Sequence, residues 1–220
     1  IVSEHTASGE TVTGKTVPFK ESIKKMSFDL KKLYSERNAA VGYPFNSDEE
    51  LEKAFDEAFP FEETPDQVAA DEDIKKDMES ERVMDRLVCG DVGFGKTEVA
   101  FRAVFRAVEN GKQAALLAPT TILTEQHYNT AVKRFAGFGV KTACLNRFKS
   151  DKEVAEILRK LKNGEIDFII GTHRLLSKDV GFKDLGLLVL DEEQRFGVEH
   201  KEKIKLLKKN VDAITLTATP

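Results

Sequence analysis

The sequence predicts an α/β fold: a doubly wound, mostly parallel sheet flanked by helices, with a helical extension before it. Three observations predict it. From residue 85 onward, short apolar runs rich in strand-forming residues alternate with stretches of helical period. Those runs are apolar at successive positions, as strands covered on both faces require. One run, RLVC, enters the glycine-rich stretch GDVGFGKT, and a helical pattern follows directly, which is the strand–turn–helix order of a βαβ unit.

The elements follow in order. Residues 1–19, IVSEHTASGETVTGKTVPF, are rich in Ser, Thr and Gly and have no sustained period, which fits a linker or the remnant of a preceding domain. Residues 20–60 read as a helical lead-in. Ile23, Met26, Leu30 and Leu33 recur at three- and four-residue steps and place one apolar stripe on a helix over 20–38. Gly42-Tyr43-Pro44 ends that segment. Ser47 and Glu50 have capping-box spacing and open a short helix that runs to Phe59, where Pro60 stops it. Residues 61–220 form the main domain. Thr64-Pro65-Asp66-Gln67 starts a helix that continues through VAADEDIKKDMES. Strands are expected at 86–89, 114–118, 142–145, 167–171, 187–191 and 213–217, and helices near 96–109, 122–135, 151–162 and 200–208. In such sheets, ligands bind at the carboxyl ends of the strands.

Composition narrows the function. A chain of 220 residues, 40% hydrophobic and 33% charged, buries a core of ordinary size. No apolar run is long enough to cross a bilayer and no signal peptide opens the chain, so a cytoplasmic protein without a membrane partner is expected. The two cysteines, Cys89 and Cys144, sit in apolar runs and read as buried thiols, not as disulfide or metal ligands. The histidines at 5, 127, 173 and 200 show no metal-ligand spacing. The net charge of −4 hides an asymmetry: residues 48–81 carry far more Asp and Glu than Lys and Arg. The remainder is net basic and compatible with nucleic acid.

Two stretches fit G-x-x-x-x-G-K-[ST], a loop whose backbone N–H groups and helix dipole cradle phosphates: GETVTGKT (9–16) and GDVGFGKT (90–97). That chemistry needs a strand before the loop and a helix after it. The first match has neither; a polar stretch precedes it, and Val17-Pro18-Phe19 follows. The second has both. Gly90, Asp91, Val92, Gly93, Phe94, Gly95, Lys96, Thr97 and the adjoining Glu98 are therefore the nucleotide-binding candidates. Gly93 and Gly95 allow the tight backbone path. Lys96 would reach the β- and γ-phosphates, and the Thr97 hydroxyl would ligate Mg²⁺. At LLVLDEEQ (187–194), two carboxylates end an apolar strand, an unfavourable place unless the charges have a ligand. Asp191 would hold Mg²⁺, and Glu192 would orient or deprotonate the attacking water. Upstream, FPFEETPDQ leaves two readings open. Thr64 and Gln67 serve as a helix start, or Gln67 reads the adenine edge while Phe59 or Phe61 packs on the ring.

FPFEETPDQ, GDVGFGKTE, APTTILTEQH, GTHRLL, DEEQRFGVEHKEKIK and TLTATP occur in the order of motifs Q, I, Ia, Ib, II and III of superfamily 2 helicase motors. GDVGFGKTEVA, the RFKS at 147–150 and DEEQRFGVEHKEKIK resemble most closely the bacterial transcription-repair coupling factors, DNA translocases that act on stalled RNA polymerase. The branch-migration helicases that remodel replication forks are similar but usually write motif II as DEQH. The resemblance covers about residues 20–220. It implies a first RecA-like domain, ATP and Mg²⁺ as ligands, and double-stranded DNA as the track. Through further domains it implies RNA polymerase and excision-repair proteins as partners. It also implies that Gln67 senses adenine, that Gln194 couples the γ-phosphate to the motor, and that Thr217 and Thr219 link the nucleotide site to DNA. Thr120, Thr121, Gln126, Thr172 and His173 would touch one DNA strand. Such uncharged donors bind phosphate oxygens without reading bases. Without the family, PTT is a helix N-cap and GTH a strand-end turn. Arg147 and Lys149 stay outside the site as solvated loop cations. The motifs of a second RecA-like domain, which closes over the nucleotide and supplies arginine fingers, do not follow TATP. The chain by itself is therefore expected to bind ATP weakly, hydrolyse it very slowly and not translocate. The alternative readings are the motor domain of a fork-remodelling helicase and a nucleotide-switched docking module built on residues 20–60.

Overall fold

Six strands form one sheet: β1 (Asp85–Cys89), β2 (Gln113–Leu117), β3 (Thr142–Leu145), β4 (Phe168–Gly171), β5 (Leu185–Asp191) and β6 (Asp212–Thr217). Their spatial order is β1-β6-β5-β2-β4-β3. Every pairing is parallel, so all the strand C-termini open on one edge. The structure, a computed structural model, describes residues 40–91 and 93–218. The 1–19 segment with its GETVTGKT match, the helix expected over 20–38 with its apolar stripe, Val92 and Thr219 lie outside the described residues.

The strand runs are apolar on successive residues because both faces are covered. Leu116, Ile170, Val189 and Ile214 point into one core layer, and Ala115, Leu117, Ile169, Leu188 and Leu190 into the other. The first layer is closed by α1 (Glu49–Glu57), α2 (Pro65–Met78), α3 (Lys96–Glu109) and α4 (Thr121–Arg134). The second is closed by α5 (Asp151–Asn163) and α6 (Val198–Leu207). Aromatic contacts fasten α1 to α3. Phe55 stacks on Phe105 at 4.3 Å between centroids, and the Arg134 guanidinium lies 3.5 Å from the Phe55 ring centroid.

The acidic stretch finds its partners on α3. Asp71 of α2 accepts from both terminal nitrogens of Arg106, at 3.1 and 3.0 Å. Glu52 of α1 accepts from Arg106 Nε at 2.9 Å and from Lys75 at 2.8 Å. Arg102 is bound by Asp56, Glu63 and Glu98 at 3.2, 2.6 and 3.3 Å. Both arginines are buried. Burial alone would raise the Glu52 carboxyl; its bonds from Lys75 and Arg106 hold it below the ordinary value instead. The acids of 48–81 thus neutralise arginines that α3, the helix after GDVGFGKT, carries into the interior.

Two expectations are corrected. The N-cap of α1 is Asp48, not Ser47: the Asp48 side chain accepts from the Glu50 and Leu51 backbone N–H groups. A carboxylate is the stronger acceptor at the positive end of a helix dipole, and the Ser47 hydroxyl donates to Glu79 at 2.6 Å. Cys89 is exposed, whereas Cys144 is buried. β1 lies at the edge of the sheet, and its residues alternate between exposed and half-buried. An apolar run does not reveal whether a strand is central or at an edge. Burial first, and then the charge of Glu125, pushes the Cys144 thiol up to about 11, so it is inert at neutral pH.

Candidate functional site

The loop after β1 runs along the edge of the sheet into α3. Gly90 N–H donates to Thr217 O of the adjacent β6 at 3.2 Å. Gly93 and Gly95 have φ of +89° and +70°, where a side chain would be strained. A Cβ at Gly95 would also strike Gln67 Nε2. Gly95 caps α3 without a side-chain acceptor, so the first N–H groups of the helix face the loop uncapped by any side chain. The Lys96 ammonium folds back onto the carbonyl oxygens of Gly90 and, at 2.8 Å, Asp91. Both acceptors are neutral backbone carbonyls.

Gln67 does two things at once. Its Oε1 accepts from Thr64 N–H at 2.9 Å, and Thr64 Oγ1 accepts from Gln67 N–H at 3.3 Å, a complete capping box behind Pro65. Its Nε2 donates to Phe94 O of the phosphate loop at 2.8 Å. The helix start is therefore present, and the same carboxamide rests on the loop. Beside it lies an apolar slot of about 550 Å³ lined by Phe59, Phe61, Thr64, Gln67, Phe94 and Thr97 among others. Phe61 and Phe94 are 72% and 56% exposed there, apolar surface open to a planar ring. Glu98 also borders the slot, with its carboxylate engaged by Arg134 at 2.6 Å and by Arg102.

The acidic end lies on β5, separated from the P-loop strand only by β6. Asp191 closes the strand. Glu192 has φ +52°, the only positive value at a non-glycine among the described residues; such strain concentrates at functional sites. Its N–H donates to Leu216 O at 2.9 Å, and its side chain accepts from Ala218 N–H at 3.2 Å and from Gln194. Gln194 Nε2 also lies 3.5 Å from Thr217 Oγ1. Gln194, Glu192 and Thr217 are thus one cluster joining the ends of β5 and β6. Glu193 turns away to Lys208 and Thr215 at 3.0 and 3.1 Å. Asp191 Oδ2 lies 2.8 Å from His127 Nε2. His127 lies 64 residues from Asp191 in the chain and has no ligand spacing, so this contact is not marked by residue spacing in the sequence. Its placement within APTTILTEQH, on the helix after β2, was the available signal.

Among the described residues, no group of three His, Cys, Asp or Glu side chains is arranged to hold a metal alone. The Thr97 hydroxyl and the Asp191 carboxylate are hard oxygen donors. Together with phosphate oxygens and water they form the mixed set that suits Mg²⁺, so the residues present fit that ion.

The other three strands end in a separate groove of about 740 Å³. Thr120 and Thr121 after β2, Asn146, Arg147 and Lys149 after β3, and Thr172, His173 and Arg174 after β4 line it. Thr120 Oγ1 accepts from Leu123 N–H at 3.2 Å and caps α4; Thr172 Oγ1 accepts from Arg174 N–H at 3.4 Å. The capping roles are therefore present in a groove that is also lined by cations. Gln126 is exposed on α4, outside this lining. Arg147 and Lys149, set aside from sequence, belong to the groove. The buried Asn146 shapes their turn, accepting from Phe148 N–H at 3.0 Å and donating to Glu125 at 2.7 Å. His173 stacks on His200 at 4.6 Å; burial and then His200 lower its pKa, leaving it neutral at pH 7.

Comparison with known proteins agrees with this layout. The model of the DEAD/DEAH box helicase family matches residues 64–220. The chain is 59% identical over 199 residues to the transcription-repair-coupling factor of Bacillus subtilis (strain 168), covering 90% of this chain and 17% of that protein. It is 55% identical over 200 residues to the factor of Staphylococcus haemolyticus (strain JCSC1435), covering 91% and 17%. The chain thus spans 17% of the length of these relatives. It is also similar to RecG in its structure bound to a three-way DNA junction, with TM-score 0.78 and 38% identity, covering 91% of this chain and 27% of that one. Among the described residues, no helix is long and apolar enough to cross a membrane. With a family match that takes in the P-loop, the acidic strand end and both halves of the sheet, the chain belongs to the DEAD/DEAH box helicase family.

Proposed function

We propose that this chain is the ATP-binding first motor domain of a superfamily 2 double-stranded DNA translocase that couples transcription to repair at stalled RNA polymerase. One observation carries the reading: the strand order sorts the loops. The ends of β1, β6 and β5 gather the phosphate loop, Thr217 and the acids Asp191 and Glu192 with Gln194. The ends of β2, β4 and β3 gather a cation-lined groove. Residues 61–220 are the motor domain and 20–60 its lead-in.

In this reading Lys96 exchanges its loop carbonyls for β- and γ-phosphate oxygens, and the N–H groups at the start of α3 bind the phosphates. Phe59 and Phe61 hold the adenine ring while Gln67 senses its edge. Glu192, held by Ala218 N–H, orients the attacking water. Mg²⁺, held by Thr97 and Asp191, supplies charge neutralisation to the phosphates. Gln194 and Thr217 relay the state of the γ-phosphate toward the groove. There Thr121, Thr172 and His173 hold one DNA strand by its phosphates, without regard to base sequence.

A fork-remodelling helicase is the second reading, supported by the likeness to RecG. The higher identity to transcription-repair-coupling factors favours the first; displacement of stalled polymerase by the parent protein separates them. For this chain the test is binding of a fluorescent ATP analogue with Mg²⁺. Lys96→Ala is expected to weaken binding, and Lys15→Ala, in GETVTGKT, to keep it. Normal binding by a folded Lys96→Ala chain overturns the reading. Turnover by the chain alone is expected to be very slow, because an arginine supplied from a second domain is worth about 10³–10⁵ in rate. Robust DNA-stimulated hydrolysis would contradict this.

A further inference from the structure

Asp191 is held from outside its own motif. Its Oδ2 and Nε2 of His127 are 2.8 Å apart, and the two side chains are only 14% and 12% exposed. An ionised carboxylate only accepts hydrogen bonds, so the imidazole carries its hydrogen on Nε2. The bond engages one carboxylate oxygen and leaves Oδ1 to a ligand. His127 sits in the second turn of α4, a helix fixed at both ends. Thr120 caps its start, and Ala131 and Phe135 are buried in the first core layer at its end. Just before Gln126 and His127, Thr124 Oγ1 donates to Thr121 O at 2.7 Å and Asn146 holds Glu125 at 2.7 Å. The imidazole is therefore presented by a rigid element. The chain just after Asp191 is the strained turn at Glu192.

We infer that His127 is a positioning residue for the metal–nucleotide site: it fixes the Asp191 carboxylate so that the remaining oxygen stays available to Mg²⁺. This rests on reading residues 90–97 and 191–194 as the ATP site. A pair that served only folding would support the strand end equally well with or without magnesium. A positioning partner is felt specifically in the magnesium dependence, because outer partners that orient a metal ligand typically change metal affinity by about 10–100-fold.

The test uses the full chain and a fluorescent ATP analogue titrated with Mg²⁺ and, separately, bound in EDTA. For His127→Ala, the Mg²⁺ concentration giving half-maximal binding should rise about 10-fold, with binding in EDTA unchanged. His127→Gln, whose amide can donate from near the place of Nε2, should recover most of the loss. If His127→Ala does not fold, His127→Leu keeps the volume, removes the donor and carries the same expectation. An unchanged Mg²⁺ midpoint in a folded donor-less variant overturns the inference, as does a His127→Gln chain no better than the donor-less one. Lys96→Ala separates the two levels. If it weakens binding while the donor-less variant keeps the parent midpoint, only the role of His127 falls. If Lys96→Ala leaves binding intact, the ATP-site reading falls and this inference with it.

Discussion

Helix α3 carries positive charge at both ends, and the two ends treat it differently. Among the described residues, Lys96, at the start, is bonded only to two backbone carbonyls. Arg102 and Arg106, two and three turns on, are buried and bound by the carboxylates of Glu52, Asp56, Glu63, Asp71 and Glu98. Ionic partners commit the arginines to structure; neutral, exchangeable partners leave the lysine available to a ligand. The DEEQ run repeats the contrast. Glu193 is committed to Lys208 and Thr215, while Asp191 and Glu192 are held by an imidazole, a backbone N–H and an amide, the exposed Arg195 guanidinium lying no nearer than 3.9 Å to Glu192.

The largest effect that tests this contrast is at Arg106. Arg106→Ala takes both close bonds from the buried Asp71 and leaves Glu52 with Lys75 alone, and should cost about 3–5 kcal/mol of stability, read by urea unfolding. A loss well under that range would mean the network is not structural. Next, Lys96→Ala should weaken the ATP analogue by about 10–100-fold, the scale of hydrogen bonds to a charged group. It should leave the unfolding midpoint nearly unmoved. A large stability loss there would erase the difference between the two ends.

The smallest effect concerns Glu109, the last residue of α3. Burial first, and then the charges of Glu52 and Asp48, push its carboxyl from 4.5 up to about 7. The folded chain therefore binds this proton more tightly than the unfolded chain does. The contribution favours folding below about pH 4.5 and is lost as pH rises through 7. Asp56, raised to about 6 chiefly by burial, acts in the same direction. Glu109→Gln should thus stabilise the chain at pH 8 by on the order of 1 kcal/mol after solvent screening. The gain should shrink toward zero near pH 5. Equal melting shifts at both pH values would show that Glu109 is not held above its ordinary value.

Much of this was legible along the chain. The six strands fall where the apolar runs place them, because strand and helix periods are local properties. The choice between GDVGFGKT and GETVTGKT was legible for the same reason, since a strand and a helix must flank the loop within a few residues. The Thr64–Gln67 capping box was equally local. Errors arose where the answer depended on neighbours distant in sequence. Cys89 is exposed because β1 is an edge strand. Ser47 lost its cap to Asp48 because Glu79, a residue of the next helix end, took its hydroxyl. The charge count along 48–81 does not reveal that Glu52, Asp56, Glu63 and Asp71 bind Arg102 and Arg106, because those arginines lie on a helix distant in sequence.

By itself the sequence determined which segments are strands and helices, where the phosphate loop lies and which acids end a strand. Each is decided by residues within a turn or two of one another. Only the tertiary structure decided the strand order, in which Leu117 of β2 pairs beside Leu190 of β5 while β1 and β5 flank β6. That order sets which loops share a face. It brings His127 to Asp191 and Thr217 to Gln194, and it gathers Arg147 and Lys149 with Thr120 and Thr172. The physical reason is that parallel strands joined by crossovers leave their neighbours undetermined by any local pattern. Burial of both sheet faces selects the order, and every through-space contact of the site follows from it.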